Sequence, residues 1–154
     1  MLYSSACEYA IRAMTHLALE AAEPDRNRMC SVKVIAENEH IPQPFLGKIF
    51  QTLVRAQLVQ SAKGPHGGFA LARAADEISL YEIRVIIDGV ADLERCAIGL
   101  PRCSDETRCP HHPSWKVLRN QIKKYLQQTT LRDVAQAAES HRLYQQNKVS
   151  LTTQ

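Results

Sequence analysis

Three cysteines, Cys96, Cys103 and Cys109, lie in a run of charge and proline, ERCAIGLPRCSDETRCPHHPSW, with His111 and His112 directly after the last of them. Six and five residues separate the thiols, and a segment without regular structure lets donors so spaced converge on one centre. Thiolates select zinc, iron-sulfur clusters or copper(I). Structural zinc sites more often carry closely spaced cysteine pairs and four ligands from one chain, and no such pair occurs here. The spacing therefore points to an iron-sulfur cluster held by the cysteines and a fourth group. The rival is three reactive thiols in a flexible loop. Cys7 and Cys30 have no such company: one sits in a helix as a small apolar residue, the other stands alone and is structural. Glu8, beside Cys7, suits the positive end of that helix.

The elements that must position this loop flank it on both sides. After it, Trp115, Leu118, Ile122, Tyr125 and Thr129 recur at alternating three and four residues, with Leu126 beside them and Lys116, Arg119, Lys123 and Lys124 around. That is a short heptad seam, and few other apolar segments remain to cover it, so it predicts a helix pairing with its copy in a dimer. Thr130-Leu131-Arg132-Asp133 caps a further helix through Ala138, and the polar tail from about Gln145 frays. Before the loop, Ser79 and Glu82 form a capping box for a short helix that Gly89 ends.

Further upstream, Ser4 to Glu20 shows helical spacing at Ala6, Ala10, Ile11, Met14, Leu17 and Ala18. Residues 22–29 form a charged loop. From Ser31 to Arg73 the order of parts is helix, turn, helix and hairpin. Ser31 caps the first helix, whose stripe is Val32, Ile35 and Ala36, and Asn38-Glu39-His40 is the turn. The second helix begins near Gln43-Pro44, because proline is tolerated in a first turn, and buries Phe45, Leu46, Ile49, Phe50, Leu53 and Val54. Gln43, Pro44, Gly47, Lys48 and Gln51 then face outward. The glycine-dense run from Lys63 to Gly68 joins two strand-like pieces and makes a hairpin. A helix-turn-helix followed by a hairpin with Lys63 and His66 at its tip suits DNA: one helix enters the major groove and the wing reaches a phosphate or the minor groove. Ser31 and Lys33 complete the set expected to face DNA.

Composition limits the alternatives. The chain has 154 residues, is 45% hydrophobic and carries a formal net charge of +3, so any basic surface is local. Glu8 and Arg12 interrupt the apolar N-terminal run and no basic segment precedes it, so a signal peptide is not expected, and no stretch is long enough to span a membrane. Five cysteines in a cytoplasmic chain point to ligands or redox thiols. No nucleophile-base constellation or phosphate-cradling motif suggests an enzyme.

With wing, cysteine loop and long helix in one chain, the sequence resembles the IscR/NsrR-type (Rrf-type) family of winged helix-turn-helix iron-sulfur transcriptional regulators, up to about residue 140. The residues that carry the resemblance are Tyr9-Ala10-Ile11-Arg12-Ala13-Met14, Ile41-Pro42 leading to Phe45-Leu46-Gly47-Lys48-Ile49, Leu58-Val59-Gln60-Ser61-Ala62-Lys63-Gly64-Pro65-His66-Gly67-Gly68-Phe69, and the loop ending at Cys109. The resemblance implies a homodimer in which each long C-terminal helix crosses to the partner, with a cluster near the interface whose state alters operator affinity. Cys96, Cys103 and Cys109 match the cluster cysteines. The fourth ligand varies among relatives between a histidine matching His112 and an acidic residue in the partner's first helix matching Glu8, with His111 adjacent. Six residues rather than the commoner five separate Cys96 and Cys103, which leaves [2Fe-2S] and [4Fe-4S] both open. Gly47 stands where some relatives have a base-reading glutamate, so no operator sequence carries over.

The expectation is thus a mainly α (α+β) winged helix-turn-helix with a two-stranded wing and a long C-terminal dimerisation helix. It divides into a DNA-binding domain over 1–90, a cluster-binding loop over 91–114, the dimerisation helix and a following short helix over 115–140, and a polar tail over 141–154. The expected function is a cytoplasmic, homodimeric repressor of a double-stranded DNA operator, controlled by an iron-sulfur cluster that senses redox state, nitric oxide, or iron and cluster supply. Two alternatives stand beside it: a metal-free thiol-disulfide switch on the same fold, and a zinc-stabilised protein-interaction module.

Overall fold

In the computed structural model, residues 2–22, 29–90, 94–101, 103–106 and 109–152 are described, with side chains as far as Leu143. Most of the charged stretch between the first helix and the helix-turn-helix, residues 23–28, lies outside the described residues.

Helix α1 (Ser5–Ala22) is the one on which the other layers meet. Its inward residues are mostly small (Cys7, Ala10, Ala13 and Ala18), so neighbours approach closely, while Met14 and Leu17 fill the space between them. Ser4 caps it: its hydroxyl accepts the Cys7 N–H at 3.1 Å. Asp88, 84 positions along the chain, accepts the Ser4 N–H at 3.0 Å and the hydroxyl as well, tying the start of α1 to a distant segment.

Helix α2 (Val32–Asn38) starts at Ser31, whose Oγ accepts the Val34 N–H at 3.3 Å, as the sequence leads one to expect. The turn that follows puts His40 at φ 51°, a left-handed conformation unusual for a residue with a side chain. It is held from α1: the Arg12 guanidinium donates to the Glu39 carbonyl, and His16 Nδ1 lies 3.2 Å from the Glu39 carboxylate. Helix α3 (Gln43–Arg55) has Pro44 in its first turn and buries Leu46, Ile49, Phe50 and Leu53, with Val54 half-buried. Phe45, expected on that face, is 63% exposed. At 100° per residue it is turned well off the stripe centred on Leu46 and Phe50, and no neighbouring layer covers the first turn of α3 there.

A left-handed Gln57 (φ 58°) turns the chain into β1 (Val59–Ala62), which pairs antiparallel with β2 (Gly68–Leu71) in the register Val59–Leu71, Gln60–Ala70, Ser61–Phe69 and Ala62–Gly68. Cys30 extends this wing by a bridge to Phe69, with N–H···O bonds of 2.9 and 2.8 Å. The stacked Phe50 and Phe69 rings, 4.3 Å apart, fasten the wing to α3. The glycines of the turn are required by space: a Cβ at Gly67 would strike the Ala62 carbonyl, and one at Gly68 would lie 2.5 Å from the Cys30 oxygen.

Helix α4 (Leu80–Asp88) is capped by Ser79, which accepts the Glu82 N–H at 3.2 Å. The reciprocal half of the capping box is not made, because the Glu82 carboxylate pairs with Arg73 at the base of the wing, 2.5 Å away. Gly89 (φ 78°) ends the helix, and the buried Arg84 donates to the carbonyls of Gly89 and Leu2 at 3.1 Å each.

Helices α5 (His112–Gln128) and α6 (Leu131–Thr152) complete the fold. Thr130 and Asp133 cap α6 reciprocally: the Thr130 N–H reaches the carboxylate at 2.8 Å and the Asp133 N–H reaches the Thr130 hydroxyl at 3.2 Å. The corner between the helices is pinned to the start of α4 by Leu80 N–H to Thr129 O (3.0 Å) and Leu131 N–H to Ile78 O (2.8 Å). Helix α6 packs along α1 and runs to Thr152, past Ala138, where the sequence pattern ends it, and through the tail expected to fray from Gln145. Leu126, Leu131 and Ala135 belong to the same core as Met14, Phe50 and Ile83, so the layer after the cysteine loop is packed into the half that carries the helix-turn-helix. No described helix is long and apolar enough to cross a membrane.

Candidate nucleic-acid interface and cysteine site

The face of α3 turned away from the core carries Gln43, Pro44, Lys48 and Gln51, all exposed, with Gly47 half-buried among them and open space where a side chain would stand. Ser31 and Lys33 lie exposed at the start of α2, and Lys33 reaches Glu37, 4.0 Å away. Such a loose, solvated ion pair contributes about 0–1 kcal/mol and leaves the ammonium free to meet a phosphate. Lys63 and His66 are exposed at the wing tip. Every residue expected to face DNA is thus at the surface. Pattern reading misses Phe45, the one large apolar side chain exposed on α3. A ring in that place can contact a thymine methyl group.

The second site is built on α5. His112, Trp115, Arg119, Ile122, Lys123 and Leu126 fall on one side of that helix at 100° per residue. Arg119 donates to the Glu94 carbonyl (3.2 Å), Lys123 pairs with the Glu94 carboxylate (3.1 Å), and the Trp115 indole N–H donates to the Arg95 carbonyl (2.9 Å). The Glu94 carboxylate raises the Lys123 pKa first, and the Tyr81 hydroxyl adds to this. Residues 94–96 are thereby laid along α5. Trp115, expected in a dimer seam, instead helps wall a small pocket with Cys96, Ile98, Leu100, Cys103, Cys109 and the two histidines. Its indole turns inward because the loop offers both an apolar surface and a carbonyl for its N–H.

Within this pocket Cys103 Sγ lies 3.2 Å from His112 Nδ1, and the Cys96 thiol lines the same wall. The N–H groups of Ile98 and Leu100 hold the Cys96 thiol below its ordinary pKa, with smaller help from Cys103 and Gly99. On its other side, His112 Nε2 is 3.1 Å from Asp105, which also takes Lys116 at 2.8 and 2.7 Å. These hydrogen bonds, that of Lys116 first, hold the Asp105 carboxyl below the usual carboxylate range. His111 lines the pocket from the exposed position before α5. Glu8 is exposed on the first turn of α1 and does not line it.

Three thiols and an imidazole sharing one pocket with apolar walls match the donor chemistry of an iron-sulfur cluster with one non-cysteine corner. Among the described residues, no three His, Cys, Asp or Glu side chains stand at ligating distance of one point. Cys96 and Cys109 would have to draw in toward the Cys103–His112 pair to bind a metal centre.

Comparison with known proteins places these features. The model of a family described as Rrf2, iron-dependent transcriptional regulator, matches residues 3–137. A chain of Aquifex aeolicus named as an HTH-type transcriptional regulator is 34% identical over 143 residues, which cover 92% of this chain and 96% of that one. The HTH-type transcriptional regulator IscR of Erwinia tasmaniensis is 31% identical over 134 residues, 87% of this chain and 78% of that one. Among solved structures, T. potens IscR is 25% identical with a TM-score of 0.69, covering 90% of this chain and 88% of that one. The oxidized form of Staphylococcus aureus CymR is 26% identical with a TM-score of 0.67, covering 88% and 96%. A winged helix-turn-helix whose cysteine loop is laid along a long helix, matched over most of its length by these regulators, belongs to the Rrf2 family of transcriptional regulators.

Proposed function

We propose that this regulator is a homodimeric repressor, acting on the DNA of the cytoplasm, whose grip on a double-stranded operator is set by an iron-sulfur cluster. The observation that carries this reading is the gathering of Cys96, Cys103, Cys109 and His112 around one pocket at the start of α5. Cys96, Cys103, Cys109 and His112 would hold the cluster. When bound, it supplies an oxidisable iron centre able to exchange a ligand with nitric oxide or respond to iron and cluster supply. Glu8 of a partner is the competing fourth donor, and His111 the neighbouring one.

The chain's own residues support a path from this pocket to the DNA face. The loop leaves α4 at Gly89, beside the Asp88 carboxylate that fixes the start of α1. Helix α1 in turn holds the turn before α3 through Arg12 and His16. A change at the pocket can alter DNA affinity only as far as it prefers one arrangement of these helices over another. In the expected complex Gln43, Pro44, Gly47, Lys48 and Gln51 meet the major groove, Ser31 and Lys33 the backbone beside it, and Lys63 and His66 the backbone or minor groove.

A second reading, a metal-free thiol switch, is favoured by Cys96 and Cys103 lining the same pocket and by the likeness to the oxidized form of CymR. Loss of two protons and two electrons to an oxidant would join these thiols as a disulfide. Purification without oxygen, followed by iron and acid-labile sulfide analysis, separates the two. The wild-type protein is expected to be coloured and to hold both elements, and Cys103→Ala to lose them. A Cys103→Ala protein with full iron and sulfide would overturn the cluster reading.

A further inference from the structure

His112 presents its two ring nitrogens to different groups, and the arrangement on one side decides what the other can do. It is the first residue of α5 and buried, 7% exposed. Nε2 faces Asp105 Oδ1 at 3.1 Å, while Nδ1 faces Cys103 Sγ at 3.2 Å. An ionised carboxylate has no proton to give, so the hydrogen in the first contact belongs to Nε2. A neutral ring then carries its lone pair on Nδ1, directed at the thiols. Asp105 is itself held: Lys116, one turn after His112 on the same side of α5, donates to both carboxylate oxygens at 2.8 and 2.7 Å. Clamp, carboxylate, imidazole and thiol thus form one line from the exposed edge of α5 into the pocket.

We infer that Asp105, held by Lys116, is a positioning residue that orients His112 so that a metal centre at Cys96, Cys103 and Cys109 is met through Nδ1. The inference rests on the cluster reading above and adds to it which nitrogen binds and what makes it do so. Metal-ligating histidines commonly give their second ring N–H to a carboxylate, which fixes ring direction and tautomer. Without Asp105 the imidazole at the head of α5 is free to rotate about its Cα–Cβ bond and to exchange tautomers. Nothing in the cysteine spacing marks Asp105, which lies between the second and third cysteines and acquires its partners only when α5 is laid along the loop. The simpler alternative is that Asp105 merely fastens the loop to α5 through Lys116. That role would be lost equally on removing either partner and would not reach the histidine's electronic environment.

The test uses full-length wild-type protein and the Asp105→Ala, Asp105→Asn, Lys116→Met, His112→Ala and Cys103→Ala variants, all purified without oxygen. Iron and sulfide content, the visible spectrum, and pulsed electron paramagnetic resonance of the reduced protein with isotopically labelled histidine are measured. Asp105→Ala is expected to keep its iron and sulfide but to show shifted bands and an altered histidine nitrogen coupling. Asp105→Asn, which retains an acceptor oxygen for the Nε2 hydrogen, is expected to restore the wild-type signature. An Asp105→Ala spectrum and coupling identical to wild type, with His112→Ala changed, would overturn the positioning role and leave His112 as ligand. Loss of iron to the same extent in Asp105→Ala and Lys116→Met would assign Asp105 to fastening alone and overturn it too. If His112→Ala leaves the signature intact, the inference fails while the three-thiolate site stands, and full iron in Cys103→Ala removes the cluster reading itself.

Discussion

At the scale of single residues, Cys7 has a consequence for stability against pH. Burial pushes its thiol up to about 12, with the nearby Asp88 carboxylate adding to the shift, and burial likewise pushes the Tyr3 hydroxyl up to about 12. In the unfolded chain the thiol ionises near 9.0, whereas in the fold it keeps its proton. The unfolded state therefore binds fewer protons above that point, and stability falls as pH rises from about 9 toward 12, by at most about 1.4 kcal/mol per unit for one group. Below 9 the contribution is complete. Unfolding midpoints in urea, followed over this range, should drop less steeply for Cys7→Ala than for wild type. Equal slopes would mean that the thiol titrates as it does in water. The same protonated state makes Cys7 a poor nucleophile.

Among the elements, the proposed complex would divide affinity, from the wing, and specificity, from α3. Lys63→Ala should weaken binding to any duplex and flatten the salt dependence by about one unit, while Gln43→Ala or Gln51→Ala should mainly relax sequence preference. Titrating a promoter fragment and a scrambled duplex across salt concentrations checks this, and an unchanged slope for Lys63→Ala would take the wing off the contact surface. These elements were legible in the sequence because their signals are local: the Ser31 cap, the proline of the first turn of α3, and two glycines with no room for a side chain. Where a residue's place depends on what lies across from it, pattern alone misleads. Phe45 fits an apolar stripe by type, yet nothing covers it. Glu82 has the right spacing for a capping box, yet Arg73 claims its carboxylate. The cysteines and His112 were visible as donors from their types, whereas Asp105 and the inward turn of Trp115 depend on α5 lying along the loop.

For the molecule as a whole, α5 has two unlike sides. Ile122 packs against its own core and Leu126 is fully buried, while Leu118 and Tyr125 at the edge of that face, and Val117 beyond them, are 49, 56 and 59% exposed. The self-pairing seam read from the sequence thus splits: Ile122 helps close the monomer, while Leu118 and Tyr125 stay exposed, where the partner in the proposed dimer would meet them. Leu118→Glu should give a folded monomer, because a charge buried without a partner in an interface costs several kcal/mol. Ile122→Glu should instead damage the fold itself. Analytical ultracentrifugation with circular dichroism distinguishes the two, and a Leu118→Glu protein that stays dimeric would move the interface elsewhere. The packing of Leu131 and Ala135 into the core of the DNA-binding half also means that α6 cannot be removed as a dispensable tail. Finally, Trp115 is the one tryptophan in the chain, and it stands in the wall of the cysteine pocket with its N–H on the Arg95 carbonyl. The protein therefore carries a built-in optical reporter of that pocket alone: a coloured group bound there would quench the indole emission by energy transfer, and release of the loop would move it to longer wavelength, while the helices that meet DNA stay dark.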